Sequence, residues 1–425
     1  MTSPSMMERV TSNVFTTTRL RGCNPSFVTT ADGVVVIDTP QLPTRAVAMR
    51  AEAESHGPIR YLINTEHHVD HIFGNYWFKG VPVVNHQGLY DNFMDPNAAL
   101  DPFAYALEAK TGKTIWKRRI GRLNASSPTY SKGRLYVVNL VPGHIVKLDA
   151  KTGRTLWKRS LPGRAESSPL VIGRSVYFGC ENGNLYSLST VNGNIRWATA
   201  LGGPVKSAPA YKDGKLYVGD YGGYMNAVDA ETGELKWQSG SLGPGFGGSG
   251  AFYSTPAVAF GRVYAGNNDA RVYSYDTSDG TLAWSYSTGG YAYSGPTVTS
   301  TRHSAPTVYI GSFDGNVYAL NAKDGGVRWS RSAGGQVIGS LSAVGDIVYV
   351  AEFTNKTTSG FMMRSGRRVF RYPKGTYSPV ISDGRWIYLT GYSSITALEP
   401  HRSVVGVGEA RPARSSGRAP SAGGP

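Results

Sequence analysis

The 425 residues leave room for more than one domain, and 53 glycines with 11% aromatics suit an all-β chain with many tight turns. Cys23 and Cys180 stand in different halves with no second cysteine nearby, which argues against a disulfide framework and against a thiolate metal site. The net charge of +15 is uneven: −3 over residues 1–110, +15 over 111–400 and +3 over 401–425. A basic body can attract anionic partners. Here, however, the cations sit at strand ends such as Lys117-Arg118-Arg119 and Lys158-Arg159 without interleaved aromatics, as a solubility surface would place them. No nucleic-acid motif accompanies them.

Met1 to Val10 contains no apolar run of signal-peptide length, and no stretch of eighteen apolar residues occurs. The expectation is a soluble chain without a transmembrane segment, cytoplasmic by default.

Along the chain, Phe27-Val28 and Gly33 to Asp38 read as buried strands. Thr44 to His56 reads as a helix with Ala46, Met49 and Ala53 on one face, stopped by Gly57-Pro58. Ile59 to Ile63 is a further strand, running directly into Asn64-Thr65-Glu66-His67-His68-Val69-Asp70-His71. Imidazoles and carboxylates clustered after a strand suit zinc and related divalent ions, because a strand-end loop lets alternate side chains converge.

This segment resembles the N-terminal half of the metallo-β-lactamase fold, whose motif is His-x-His-x-Asp-His. Glu66 takes the first histidine place, His68 the second, Asp70 the aspartate place and His71 the last. The resemblance implies metal ligands at Glu66, His68, Asp70 and His71, zinc as the cofactor, and Asp70 as the catalytic residue orienting a metal-activated water. Two departures stand out. Glutamate replaces the first histidine, and the second half of such a domain does not follow. After His86, which reads as a strand-end residue, the only histidines are His144, His303 and His401. A sheet lacking its second half is expected to leave part of its packing surface uncovered.

At the junction, Phe103 to Ala109 can be read as a short helix closing the first part or as a strand resembling Val317-Tyr318-Ala319-Leu320. Beyond it the sequence repeats. Tryptophans fall at Trp116, Trp157, Trp197, Trp237, Trp284 and Trp329, with Phe370 in the next place, each preceded by a phrase such as AKTGRTLW at 150–157. A Ser-x-Pro opening runs in step at Pro128, Pro169, Pro209, Pro256 and Pro296. Ser340-Leu341-Ser342 is read in the sixth place and Tyr377-Ser378-Pro379 in the seventh. Leu135 to Val138 and Ile145 to Leu148 read as strands, and the Thr152-Gly153 turn returns the chain to a strand bearing Trp157. That is four strands per unit, one propeller blade. Each indole covers the seam to the next blade, contributing roughly 4–6 kcal/mol gross at ~25 cal/mol/Å².

The fold read from this is mainly β: a seven-bladed β-propeller over 110–400, preceded by a partial α/β metallo-β-lactamase-like segment over 1–109 and followed by a disordered basic tail over 401–425. Seven openings imply seven inner strands, with Thr114 to Lys117 available as the missing outer strand of the last blade. Eight blades with one incomplete is the alternative. The repeat resembles the PQQ-like (quinoprotein) family, which contains quinone-dependent dehydrogenases and non-catalytic scaffolds similar to the outer-membrane assembly lipoprotein, many of them extracytoplasmic. The dehydrogenases carry an adjacent-cysteine disulfide and a calcium site with a catalytic aspartate. No Cys-Cys pair and no matching acidic cluster is found in this sequence, so no PQQ is expected. The resulting expectation is a binding or scaffold protein, with a protein or acidic polymer at the propeller rim. A zinc-dependent hydrolase is the alternative, and a PQQ-dependent dehydrogenase the second alternative.

Overall fold

The computed structural model describes residues 7–17, 25–37, 43–64, 78, 81, 83–85, 103–121, 124, 126–141, 143–243, 250–302, 304–375, 380–390 and 395–398. The chain divides into two compact units, Met1–Asp101 and Pro102–Pro425.

The first unit is one six-stranded sheet in sequential order, β1 (Glu8–Arg9), β2 (Val14–Thr16), β3 (Ser26–Thr30), β4 (Gly33–Ile37), β5 (Ile59–Asn64) and β6 (Val83–Asn85), with α1 (Pro43–Ser55) between β4 and β5. The β1 to β4 pairs are antiparallel, whereas β4–β5 and β5–β6 are parallel. A parallel pair needs a crossover, and α1 supplies it. Ala46, Met49 and Ala53, spaced three and four apart, are fully buried in one core with Phe27, Val34, Val36, Leu62 and Phe78. Val34 and Val36 point into this core, while Val35 and Ile37 are only partly covered and Tyr61 is 49% exposed. Among the described residues, one face of the sheet is therefore sealed and the other is partly open.

The second unit is a series of antiparallel sheets. Six have four strands each, spanning 129–160, 170–200, 210–240, 257–287, 297–332 and 342–372. A three-stranded sheet spans 381–398 and a two-stranded one 103–119. Within each four-stranded sheet the strands pair in sequence order, and first strands of neighbouring sheets lie side by side, as at the axis of a propeller.

The tryptophan clamp is the same at six junctions, and Phe370 takes its place at the next without the hydrogen bond. Trp116, Trp157, Trp197, Trp237, Trp284 and Trp329 donate Nε1–H to the carbonyls of Ala150, Thr190, Ala230, Thr277, Ala322 and Met363 in the next sheet, at 2.8–3.3 Å. Each ring also lies on the glycine of that sheet's hairpin turn. A Cβ added to Gly153, Gly193, Gly233, Gly280, Gly325 or Gly366 would sit 2.7–2.9 Å from the indole. The glycine is thus required twice, for its positive φ of 67–80° and for the absence of a side chain under the ring. Trp237, Trp284 and Trp329 are buried.

A second aromatic joins five of the six clamps. Tyr136, Tyr177, Tyr217, Tyr264 and Tyr309, on second strands, pack 5.8–6.1 Å from the tryptophan of their own sheet. Tyr177, Tyr264 and Tyr309 donate to the same carbonyl as that tryptophan, at 2.9–3.1 Å.

Two expectations are corrected. Thr114–Arg119 pairs with Phe103–Leu107 rather than completing the last sheet. The Phe103 segment is accordingly a strand, and the pair packs on the 129–160 sheet through Ala104, Ile120, Val137 and Leu148. The sixth opening is Gly339-Ser340-Leu341, one residue earlier than Ser340-Leu341-Ser342. Ser342 already begins its first strand, as Thr297 does after Pro296, and Thr297 bonds the carbonyl of Leu341 just as Thr129 bonds that of Pro169. Leucine can hold the proline's place because the site precedes the ladder, where no N–H is required of it, and buries an apolar side chain.

Candidate functional site on the crossover face

The proposed metal ligands Glu66, His68, Asp70 and His71 lie outside the described residues, as do His86, His303, His401 and Cys23. Among the described residues no group of three His, Cys, Asp or Glu side chains is placed to hold a metal ion. His144 is fully buried at the start of a third strand, with Nε2 2.5 Å from the carbonyl of Ile120; it belongs to the sheet.

Antiparallel order places the first–second and third–fourth turns of every sheet on one face of the propeller. The second–third hairpins and the crossovers between sheets lie on the other. Each crossover is pinned on both sides. Val205, Phe252, Ala292 and Val337 donate backbone N–H to the hairpin of the sheet being left, at Cys180, Asp220, Asn267 and Ser312. The next hairpin donates back, from Glu181, Tyr221, Asn268, Phe313 and Phe353 to Arg164, Pro204, Ala251, Tyr291 and Gln336. Two positions per repeat are therefore fixed in space irrespective of their side chains: the residue after the buried crossover anchor, and the hairpin residue that donates.

Those two positions vary while the clamp does not. In successive sheets they hold Glu166 with Glu181, Lys206 with Tyr221, Tyr253 with Asn268, Tyr293 with Phe313, and Ile338 with Phe353. They form one continuous surface. Lys206 Nζ lies 2.8 Å from Glu166 and 3.4 Å from Glu181, and Arg164 is 3.7 Å from Glu181. The same ammonium stands 5.3 Å from the centre of the Tyr221 ring. Tyr221 meets Tyr253 edge-on at 6.2 Å, and Tyr253 meets Tyr293 at 5.4 Å and 86°. Tyr293 packs on Tyr291 and Phe313, at 5.7 and 5.1 Å.

The charges are internally balanced. Burial pushes the Lys206 ammonium down, but its hydrogen bond to Glu166 and the charges of Glu166 and Glu181 outweigh that and hold it above its ordinary value. Burial raises the Tyr221 hydroxyl, with Tyr253, Tyr293 and the two carboxylates adding to the effect. It stays protonated and able to donate. What remains is a neutral ion cluster leading into a shelf of five aromatic rings, a composition enriched at protein contact surfaces.

Other polar residues on this face are absorbed by structure. Asp220, fully buried and raised by that burial, accepts hydrogen bonds from Asn226, Tyr224 and Gly202. Cys180, at the equivalent repeat position, donates to the carbonyl of Arg164 at 3.2 Å. The aromatic shelf escaped the sequence reading, which used the repeat to find invariant columns. Its signal was the opposite one, namely columns next to Ser167, Ser207, Ser254 and Ser294 where the repeat fails to constrain the residue.

Comparison with known proteins agrees with the geometry. A family model described as outer membrane protein assembly factor BamB matches residues 101–207, 142–250 and 199–403. A model of the metallo-β-lactamase superfamily matches residues 18–99. No curated protein matches. BamB from Moraxella catarrhalis is similar at 19% identity and a TM-score of 0.57, covering 70% of this chain and 96% of that one. A europium-containing methanol dehydrogenase is similar at 11% and 0.54, covering 64% and 75%. A quinohaemoprotein alcohol dehydrogenase from Pseudomonas putida HK5 is similar at 13% and 0.54, covering 72% and 67%. These likenesses show a shared fold. With its clamped four-stranded repeats and a family match running from residue 101 to 403, the chain belongs to the PQQ-like repeat family of the outer membrane protein assembly factor BamB.

Proposed function

We propose that the propeller is a binding scaffold that engages a protein partner through its crossover face, with Tyr221, Tyr253, Tyr293 and Phe313 as the contact shelf. The observation that carries this reading is the contrast within the repeat: clamp positions are held constant, whereas the two positions displayed on the crossover face are free to vary and have become aromatic. Likeness to BamB, a protein named for assembly, supports it. The methanol and alcohol dehydrogenases share the fold, and fold alone carries no chemistry. A photo-crosslinking residue at Tyr253 should capture a partner that one at Lys212, on the turn face, does not. Equal capture at both positions would sink the proposal, and dye reduction with added PQQ and calcium would replace it with the dehydrogenase reading.

The number of blades is part of this proposal. Trp116 on Thr114–Arg119 docks as fourth-strand tryptophans do, which supports reading 103–119 as the outer half of a blade. The 381–398 sheet then forms the inner three strands of another, giving eight with two incomplete.

A second reading concerns the first unit. Its parallel β4 and β5, joined by α1, with β5 ending at Asn64, and the match over 18–99 support a metal site at Glu66, His68, Asp70 and His71. The donor set of two imidazoles and two carboxylates suits zinc, which would supply an acidified water. Metal analysis of the purified chain tests it. About one zinc per chain, lost in His68→Ala, is expected on this reading, and less than about a tenth would end it.

A further inference from the structure

We propose that the turn face of the 297–332 and 342–372 sheets is a binding site for a linear phosphate-bearing polyanion. Complete sheets elsewhere open with a three-residue first strand, but the 297–332 sheet opens with Thr297–Thr301 and a second strand of eight residues, Ser304–Gly311, with a register shift between Thr299 and Thr301. This hairpin extends past its counterparts. Insertions in a single repeat fall in loops on one face and frequently serve binding.

The extended hairpin and the adjacent sheet's turn form a recess lined by Arg302, Arg364, Ser300, Thr301 and Ser304. A second recess, lined by Arg331, Ser332, Arg367 and Arg368, lies between the fourth strand of the 297–332 sheet and the same turn. The turn is held rigidly. Trp329 and Tyr309 both donate to the carbonyl of Met363, and Arg331 donates to that of Ser365 at 3.3 Å. Arg328 donates to the carbonyl of Pro306 at 3.3 Å, at the foot of the extended hairpin.

All six arginines are exposed, and none makes an ion pair among the described residues. Equivalent turns carry Glu231-Thr232 and Ser278-Asp279 in two sheets but Lys110 with Lys113 and Lys151 with Arg154 in others, so a basic turn recurs in the repeat; what sets this site apart is the extended hairpin that brings Arg302 to Arg364. Guanidinium forks match pairs of phosphate oxygens, and the serine and threonine hydroxyls add neutral donors. Two recesses bordering one turn suit a chain of anionic groups better than a single ion. Among the described residues neither recess has an exposed ring on which a base could stack, which favours a polyphosphate-like chain over single-stranded nucleic acid.

Calorimetric titration of the full chain with long-chain inorganic polyphosphate tests the proposal. Binding that weakens with salt is expected, falling about ten-fold or more in Arg302→Ala/Arg364→Ala. The control Lys151→Ala/Arg154→Ala removes the same charge from the equivalent turn of the 129–160 sheet and should stay within about two-fold of the parent. Equal losses in both variants would show only the diffuse field of a basic body and overturn the site. Orthophosphate binding as tightly as the polymer, or anionic phospholipid vesicles binding where polyphosphate does not, would overturn the polymeric ligand.

Discussion

The two units bury their sheets by different means. In the first, a single sheet relies on α1 to cover one face, and residues on the other, such as Val35 and Ile37, stay partly open. In the second, every complete sheet is sandwiched by copies of itself, and each core cluster draws residues from two neighbouring sheets, as Tyr177, Leu185, Val218 and Val228 do. A repeat supplies its own cover, whereas a lone sheet needs elements of other kinds. Propeller stability then grows as a sum over junctions, while among the described residues the first unit has one core cluster, centred on the contact of α1 with the sheet.

Removing a junction should have the largest effect. Trp284→Ala takes out a buried ring, its ring contact with Tyr264 and its bond to Ala322, and should cost about 3–5 kcal/mol in the denaturant transition of the propeller. A loss under about 1 kcal/mol would mean that the indoles do not hold the sheets together. Met49→Ala should come next, at about 3 kcal/mol, but only in the transition of the first unit. Destabilisation of the propeller transition to the same degree would abolish the contrast between the two units.

Lys206→Met removes the ammonium shared by Glu166 and Glu181, leaving only Arg164 beside Glu181, and should cost about 2 kcal/mol. Because the folded-state value of Lys206 is raised, its stabilisation is complete below the unfolded value of about 10.4 and disappears as pH rises through the folded one. The gap between parent and variant should therefore be constant from about pH 6 to about pH 9 and close above that. A gap that opened with rising pH would place the cost elsewhere. The smallest effect on stability is expected from Tyr253→Ala, within about 0.5 kcal/mol, since the ring is exposed and its neighbours are other surface aromatics. Partner capture should nevertheless fall, and unchanged capture with unchanged stability would remove the shelf from the contact.

Much of the propeller could be read directly from residues because its determinants are local and repeated. The Thr-Gly turn, the tryptophan four residues on and the alternating strands recur at a fixed interval, and each is a short-range choice of φ or of side-chain face. The α1 face of Ala46, Met49 and Ala53 was legible for the same reason, a helical spacing of three and four. What the sequence left open depended on contacts distant along the chain. Thr114–Arg119 could pair with either end of the chain, and only the packing of Ala104 and Ile120 against Val137 and Leu148 assigns it to Phe103–Leu107. The tyrosine shelf draws Tyr221, Tyr253, Tyr293 and Phe313 from three successive sheets, with half a repeat to a full repeat between one ring and the next. No local pattern encodes that proximity; it exists because crossovers and hairpins are clamped into the same register sheet after sheet.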